Sequence, residues 1–258
     1  MTKKPEYRAP ALEKGLEILE LLAKAEEPLT KKQIAEKLNR SVSEIFRMLS
    51  VLKEKRYIEC HKDTAGYVLT LKMFALSNQH PPVMLLLRQC ALLTEQLCKK
   101  VNQSCHISRY SNGELLVIAR EESPYKMGFS LKVGARIDVF ASGSGAVLLG
   151  FCAPEIREAL LTNEYATEEL IQTTLQQAEE TRRRGYFLGK SPQISGVTNI
   201  SAPIFGPQGD LLAVITIPYM TLNSQTVSHS VKDIVQAKDE LIRVARELSQ
   251  NPLSPSLI

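Results

Sequence analysis

Ser43, Glu44, Phe46, Arg47 and Ser50 share the outward side of one amphipathic repeat, and residues of these types at this spacing can read a DNA duplex. An arginine forks onto guanine or clamps a phosphate, a serine contacts either, and a glutamate accepts from a cytosine amino group. Lys31, Arg40 and Ser41 beside them, and Lys62 further on, complete the set predicted to touch nucleic acid. A second candidate group is Ala141-Ser142-Gly143-Ser144-Gly145, a glycine-rich loop that opens onto the apolar run Ala146 to Gly150. Free amides at a helix start favour an anion, and glycines let a ligand approach the backbone, so a carboxylate fits there. The plainer alternative makes Ser142 an N-cap and the glycines a means of tight helix packing. Gly143-Ser144-Gly145 is also half of a dinucleotide fingerprint, but Leu148 occupies the third glycine position.

The elements that must position the first group are legible from capping signals. Thr30 and Gln33 stand at capping-box spacing, so a helix is predicted from Lys31, with Ile34, Ala35 and Leu38 on its inner face and Asn39 at its left-handed end. Ser41 and Glu44 repeat the box, and Ile45, Met48, Leu49 and Leu52 form the inner stripe of a longer helix. Glu44 therefore reaches a base only if capping leaves it free. This is the layout of a helix-turn-helix whose second helix enters the major groove. Two short helices around a tight turn also occur in all-helical domains, so the flanks decide. Ahead lies Ala9 to Ala25, with Leu12, Leu16, Leu19 and Leu22 or Ala23 at helical spacing as a packing stripe. Behind, Tyr57 to Cys60 and Gly66 to Thr70 flank the polar turn His61 to Ala65, a predicted hairpin with Lys62 at its tip. Helix, helix, helix and wing is the order of a winged helix-turn-helix.

Charge agrees with this reading. Residues 1–72 carry 15 Lys+Arg against 11 Asp+Glu, whereas residues 73–258 carry 17 of each, so the whole excess lies at the front, where displaced counterions would supply affinity for nucleic acid. The 258 residues suffice for two domains. No apolar run approaches the roughly 18 residues of a membrane span, and the opening MTKKPEYRAP lacks a signal-peptide core, so a cytoplasmic location is expected. Five cysteines without a CxxC pair argue against a disulfide framework or a zinc ribbon.

Beyond the wing, Leu71 to Gln79 continues a helical period that Pro81 and Pro82 should stop, and Val83 to Lys100 carries the stripe Leu85, Leu86, Cys90, Leu93 and Leu97. The period then switches. Ser104 to Tyr110 and Glu114 to Arg120 flank Ser111-Asn112-Gly113, a strong hairpin signal, and Met127 to Val133 and Arg136 to Phe140 read as short extended segments. Helices are predicted over Pro154 to Leu161 and Thr167 to Arg184, strands over Val197 to Phe205 and Leu211 to Pro218, and a closing amphipathic helix over Ser228 to Gln250.

These stretches together resemble the IclR family of bacterial transcriptional regulators. The likeness is carried by ALEKGLEILELLAKAEEPLTKKQIAEKLNRSVSEIFRMLSVLKEKRYIE with GYVLTLKMFAL, by VGARIDVFASGSGAVLLG, and by GYFLGKSPQISGVTNISAPIFGPQGDLLAVITI. It implies an α+β protein, with a winged helix-turn-helix over residues 1–70, a connecting helix and linker over 71–82, and a GAF-like effector-binding domain over 83–258. It also implies dimerisation through the N-terminal domains, with a dimer of dimers as a further step. Carried over by position, effector contacts would come from Ala141, Ser142, Gly143, Asn199 and Thr216, with Met127, Phe129 and Ile217 as apolar wall. Two departures stand out: Gly189-Lys190-Ser191-Pro192 replaces the acidic residues usual after GYF, and Pro218-Tyr219-Met220 replaces a small-residue ending. Lys190 in place of an acid would either favour a more anionic effector or simply face water.

Other chemistry is weak. Cys105 and His106 are strand neighbours that point to opposite faces, so they cannot form a nucleophile–base pair. His61, His80 and His229 lack ligand spacing, and no P-loop, GxSxG or HExxH is present. No catalytic residue, metal or cofactor is therefore assigned. The expectation is a homo-oligomeric regulator that binds double-stranded operator DNA and answers to a small organic acid, with repression or activation following from promoter geometry. The rivals are an enzyme of small-acid metabolism with an accessory DNA-binding head, which would turn its acid over, and a ligand-free architectural protein, which no acid would stabilise.

Overall fold

The computed structural model describes residues 9–61, 63–79, 81–162, 167–221 and 233–250. The chain divides into two compact units, Met1–Pro81 and Pro82–Ile258.

In the first unit, helices α1 (Pro10–Lys24), α2 (Lys31–Lys37) and α3 (Val42–Glu54) precede strands β1 (Ile58–Cys60) and β2 (Tyr67–Leu69) and helix α4 (Lys72–Ser77). Both capping boxes form: Thr30 and Ser41 accept from the amides of Gln33 and Glu44, whose side chains reach back to the cap amides. Asn39 takes φ +51°, and the amides of Asn39 and Arg40 close on the carbonyls of Glu36 and Ala35, the double bond of a Schellman ending. The turn between α2 and α3 is thereby fixed at both ends by the residues that sequence spacing selects. Ile18, Leu22, Leu29, Ile34, Ile45, Leu49 and Ile58 make the core, each large aliphatic side chain contributing about 1.5–3 kcal/mol by leaving water. The wing packs back through a bridge between Leu29 and Tyr67, and Gly66 lies so close to Pro28 that a Cβ would come within 2.6 Å.

The stripe expected on α1 is displaced. Gly15, Ile18 and Leu22 face the core, whereas Leu12 and Leu16 are 62% and 50% exposed. The helix has two apolar sides, and spacing alone cannot say which meets α3. Nor do the prolines merely end a helix: Pro81 begins α5 (Pro81–Val101), because a missing N–H costs nothing in a first turn.

The second unit is built on an antiparallel six-stranded sheet in the order β5-β4-β3-β8-β7-β6. Its strands are β3 (Cys105–Ser111), β4 (Glu114–Glu121), β5 (Arg136–Ile137), β6 (Phe187–Lys190), β7 (Val197–Phe205) and β8 (Leu211–Met220). The hairpin β3–β4 turns at Asn112 and Gly113, both at positive φ as a primed turn requires. Met127 to Val133 forms no strand, Arg136 to Phe140 contributes only the two residues of β5, and β8 runs past Pro218 to Met220. Strand β6, unforeseen, pairs along the outer edge of β7. One face packs α5 and α9 (Ile234–Gln250) over Cys105, Ile107, Ile200, Ala202, Ile215 and Ile217. The other carries α6 (Gly143–Phe151) and α8 (Glu168–Arg184), with α7 (Pro154–Leu161) beside them. The front of the predicted closing helix, residues 228–232, lies outside the described residues.

Candidate functional site

On the first unit, α3 presents Val42, Ser43, Phe46, Arg47 and Ser50 to solvent, with Ile45 and Leu49 buried beneath. Hydrogen bonding sorts the predicted contacts. Glu44 is not free: it accepts from the Ser41 amide at 3.1 Å and hydroxyl at 2.8 Å, and Lys14 of α1 donates to it at 2.6 Å. These donors hold its carboxyl down at about 2, Lys14 having the largest effect, so the glutamate is a cap and not a base reader. Ser41 is committed to the same cap, Arg40 is paired with Glu17 at 3.2 Å, and the Ser50 hydroxyl donates to the Phe46 carbonyl. Lys31 stands 4.9 Å over the Phe46 ring, at the α2 edge of the same surface. Arg47 keeps an exposed charge with no ion pair among the described residues. Val42, which spacing did not single out, lies one turn before Phe46, and both are about half exposed, an apolar pair suited to thymine methyls. Lys62 lies outside the described residues.

On the second unit, the glycine-rich loop is fastened before α6 begins. Asp138 Oδ1 accepts from the Phe140 amide, the Phe140 carbonyl accepts from the Thr174 hydroxyl of α8, and Ser142 Oγ donates to the Asp138 carbonyl at 2.6 Å. Ser142 Oγ also accepts from the Gly145 amide, so it is a fully used N-cap. The glycines do allow tight packing: a Cβ on Gly145 would lie 1.9 Å from the Val139 carbonyl oxygen, and one on Gly143 would lie 2.6 Å from Phe187 and 3.0 Å from Ser201 Oγ. The first amides of a helix lack intrahelical partners, so with Gly145 capped, those of Gly143 and Ser144 remain directed out of the helix start.

Under α6 the sheet carries an unexpected line of hydroxyls. Ser144 Oγ lies 2.9 Å from Thr216 Oγ1, which lies 2.8 Å from Ser201 Oγ, and all three residues are buried. Sequence reasoning selected Thr216 but missed Ser144 and Ser201. For Ser201 a signal was available in Asn199, two residues before it on a largely apolar strand, whereas Ser144 lies on a helix and had none. Asn199, half-buried, is two residues from Ser201 and on the same face. Ile217 is not a wall of this site. It alternates with Thr216 and is buried against α5 and α9 on the opposite face. Lys190 also departs from expectation: it pairs in register with Thr198, one residue out of phase with Asn199, and borders a separate concavity of about 410 Å³ with Ser191, Thr198 and Thr221. Met127 is exposed and Phe129 half-buried, flanking Gly128, where a Cβ would come within 3.0 Å of Ser104 Oγ at the start of β3. The segment thus crosses beside the site as irregular chain. Ala141 is half-buried in the loop itself.

No cluster of three or more His, Cys, Asp or Glu fit to hold a metal occurs among the described residues. The described cysteines are free, with Cys90, Cys98 and Cys105 buried. Burial pushes Cys90 up to about 12, the behaviour of a packing thiol and not a nucleophile.

Comparison with known proteins covers both units. Residues 11–60 match the IclR helix-turn-helix domain, and residues 83–250 match the bacterial transcriptional regulator IclR C-terminal domain. The chain is 25% identical over 196 residues to the HTH-type transcriptional regulator KdgR of Escherichia coli K12, with 74% of each protein covered. It is 23% identical over 248 residues to the HTH-type transcriptional repressor AllR of the same strain, covering 93% of this chain and 89% of AllR. Its fold matches the crystal structure of an IclR homolog of Microbacterium hydrocarbonoxydans complexed with 4-hydroxybenzoate, at a TM-score of 0.78 and 18% identity, over 93% of this chain and 98% of that one.

Proposed function

This chain belongs to the IclR family of bacterial transcriptional regulators, and on that premise we propose how its two units divide the work. The first unit binds an operator through α3, with Arg47, Ser43 and the Val42–Phe46 pair reading base edges and Lys31 and Arg40 placed toward the backbone. The observation that carries this is Arg47, exposed and without an ion pair among the described residues, on a helix whose Glu44 is spent on the cap and whose Ser50 hydroxyl is turned to the Phe46 carbonyl. The second unit binds a small organic acid on the sheet face under α6. The carboxylate meets the Gly143 and Ser144 amides, with Asn199 and the Ser144–Thr216–Ser201 hydroxyls beside it. The relative solved with 4-hydroxybenzoate, an organic acid, supports that ligand class. Repression is the direction we adopt, on the likeness to AllR.

We propose further that the protein works as a homodimer, joined through Leu12 and Leu16 of α1 and through Leu71, Met73, Phe74 and Leu76 around α4, which are all exposed. Several large apolar side chains left exposed on one small unit point to an interface. An acid that prefers one arrangement of the second units then changes the spacing of the paired α3 helices, and hence operator affinity. Such a protein acts in the cytoplasm, and among the described residues no helix is long and apolar enough to cross a membrane. The test is fluorescence anisotropy of the purified chain on DNA from upstream of its own coding region, against scrambled DNA, across a salt series. Specific binding that persists near physiological salt is expected, and equal binding to both DNAs at every salt would refute the proposal.

A further inference from the structure

We infer that His106 of β3 reads a second, uncharged oxygen on the bound acid, so that the site prefers a hydroxy- or oxo-substituted carboxylate to the same acid without that oxygen. This rests on the reading that the acid occupies the face under α6. His106 is 3% exposed, and neither of its ring nitrogens has a hydrogen-bond partner among the described residues. A buried polar group without a partner costs stability, and its persistence points to a partner that arrives from outside.

Register aims the imidazole. His106 pairs directly with Thr216, and directly opposed residues of antiparallel strands project to the same face. That face is the one on which Thr216 meets Ser144 of α6. Ser104, two residues earlier, shares it and accepts from the Ser123 amide at 3.0 Å, which fastens the crossing segment that contains Gly128. Ser108, two residues later, has a buried hydroxyl that is also without a partner among the described residues. His106 therefore belongs to the same floor as the hydroxyl line, beside the helix start that takes the carboxylate.

The chemistry of the second group follows. Burial lowers the pKa of His106 to about 4, so at neutral pH the ring is uncharged and offers one N–H donor and one lone pair. A second carboxylate would need a cation, which a neutral imidazole is not, and would meet a desolvation cost that the hydroxyls do not offset. A hydroxyl or an oxo oxygen matches what the ring offers, the oxo group accepting and the hydroxyl doing either.

The test is isothermal titration calorimetry on the full chain with two matched series: lactate and pyruvate against propionate, and mandelate and benzoylformate against phenylacetate. In whichever series binds, the oxygenated acids should bind the native protein about tenfold more tightly than the parent, the equivalent of one net hydrogen bond. His106→Leu should bring the ratio measured within that variant to about one, and His106→Gln, which keeps a donor and an acceptor, should retain part of it. Equal affinities in the native protein, or a ratio that survives His106→Leu, would overturn the inference. The native comparison and the glutamine variant decide the matter if the leucine variant does not fold. Silence from every acid would instead refute the placement of the effector under α6, and the inference with it.

Discussion

Thr216→Val isolates the hydroxyl line with little change of shape. Thr216 Oγ1 lies 2.9 Å from Ser144 Oγ and 2.8 Å from Ser201 Oγ, and the three residues are 2%, 2% and 0% exposed. Valine fills the same space without an oxygen, so no cavity opens, but two buried serines lose a partner. At a net value of about 1 kcal/mol per hydrogen bond, with a spread of half that, the loss should be about 1–3 kcal/mol. The line ties α6 to β7 and β8, so the deficit should be local. Native-state hydrogen exchange in rising urea, read on β7 and β8 peptides by mass spectrometry, measures it without requiring the two units to unfold together. Thr216→Ser, which keeps the oxygen, should recover most of the loss. The cycle Ser144→Ala with Thr216→Val should show coupling, because the two deletions remove one shared bond. A change below about 0.5 kcal/mol, or zero coupling, would refute the idea that these hydroxyls hold the helix start over the sheet.

Three further outcomes follow from the described geometry. Arg47→Ala should weaken operator binding by about 1–3 kcal/mol, roughly five- to 150-fold in anisotropy, with an unchanged circular dichroism spectrum; unaltered affinity would remove α3 from the groove. The folded-state pKa of Glu44, about 2, lies below its unfolded value, so its capping contribution is complete above the ordinary carboxylate range and disappears as pH falls through that range toward 2. The stability difference between the native protein and Glu44→Gln should accordingly shrink as pH falls from neutrality toward 2, and a difference that stays flat over that window would contradict the assignment. Leu16→Glu and Phe74→Glu, at positions 50% and 66% exposed, should leave the fold intact but shift the mass measured by light scattering toward the monomer; dimers that persist in both would place the interface elsewhere.

Local signals carried the first unit: two capping boxes, a left-handed asparagine and a β-hairpin each specify their own geometry from a few neighbouring residues. Where the outcome depended on packing partners, spacing was not enough. Helix α1 offers two apolar sides, and the side bearing Leu12 and Leu16 turned outward. Strand β8 is buried along nearly its whole length because helices cover both faces of the sheet, which removes the polar–apolar alternation that would have separated Thr216 from Ile217. Strand β6 has only four residues, one of them glycine, and owes its existence to the edge of β7. Lys190 followed that unforeseen strand onto the other phase. The buried hydroxyls and His106 were legible only as exceptions to apolar runs, and their common face required the register.

The ion pair between Lys14 and Glu44 has a mechanical meaning beyond its role in capping. Glu44 belongs to the first turn of α3, and Lys14 lies on α1 between the outward-facing Leu12 and Leu16. The start of the reading helix is thus clamped to the helix that carries half of the proposed dimer seam. In the proposed dimer, a rotation of α1 at that seam would be passed through this pair to α3 as a displacement of its leading end. On that proposal, the first unit would act as a lever, and the distance between two reading helices would be set at the subunit boundary.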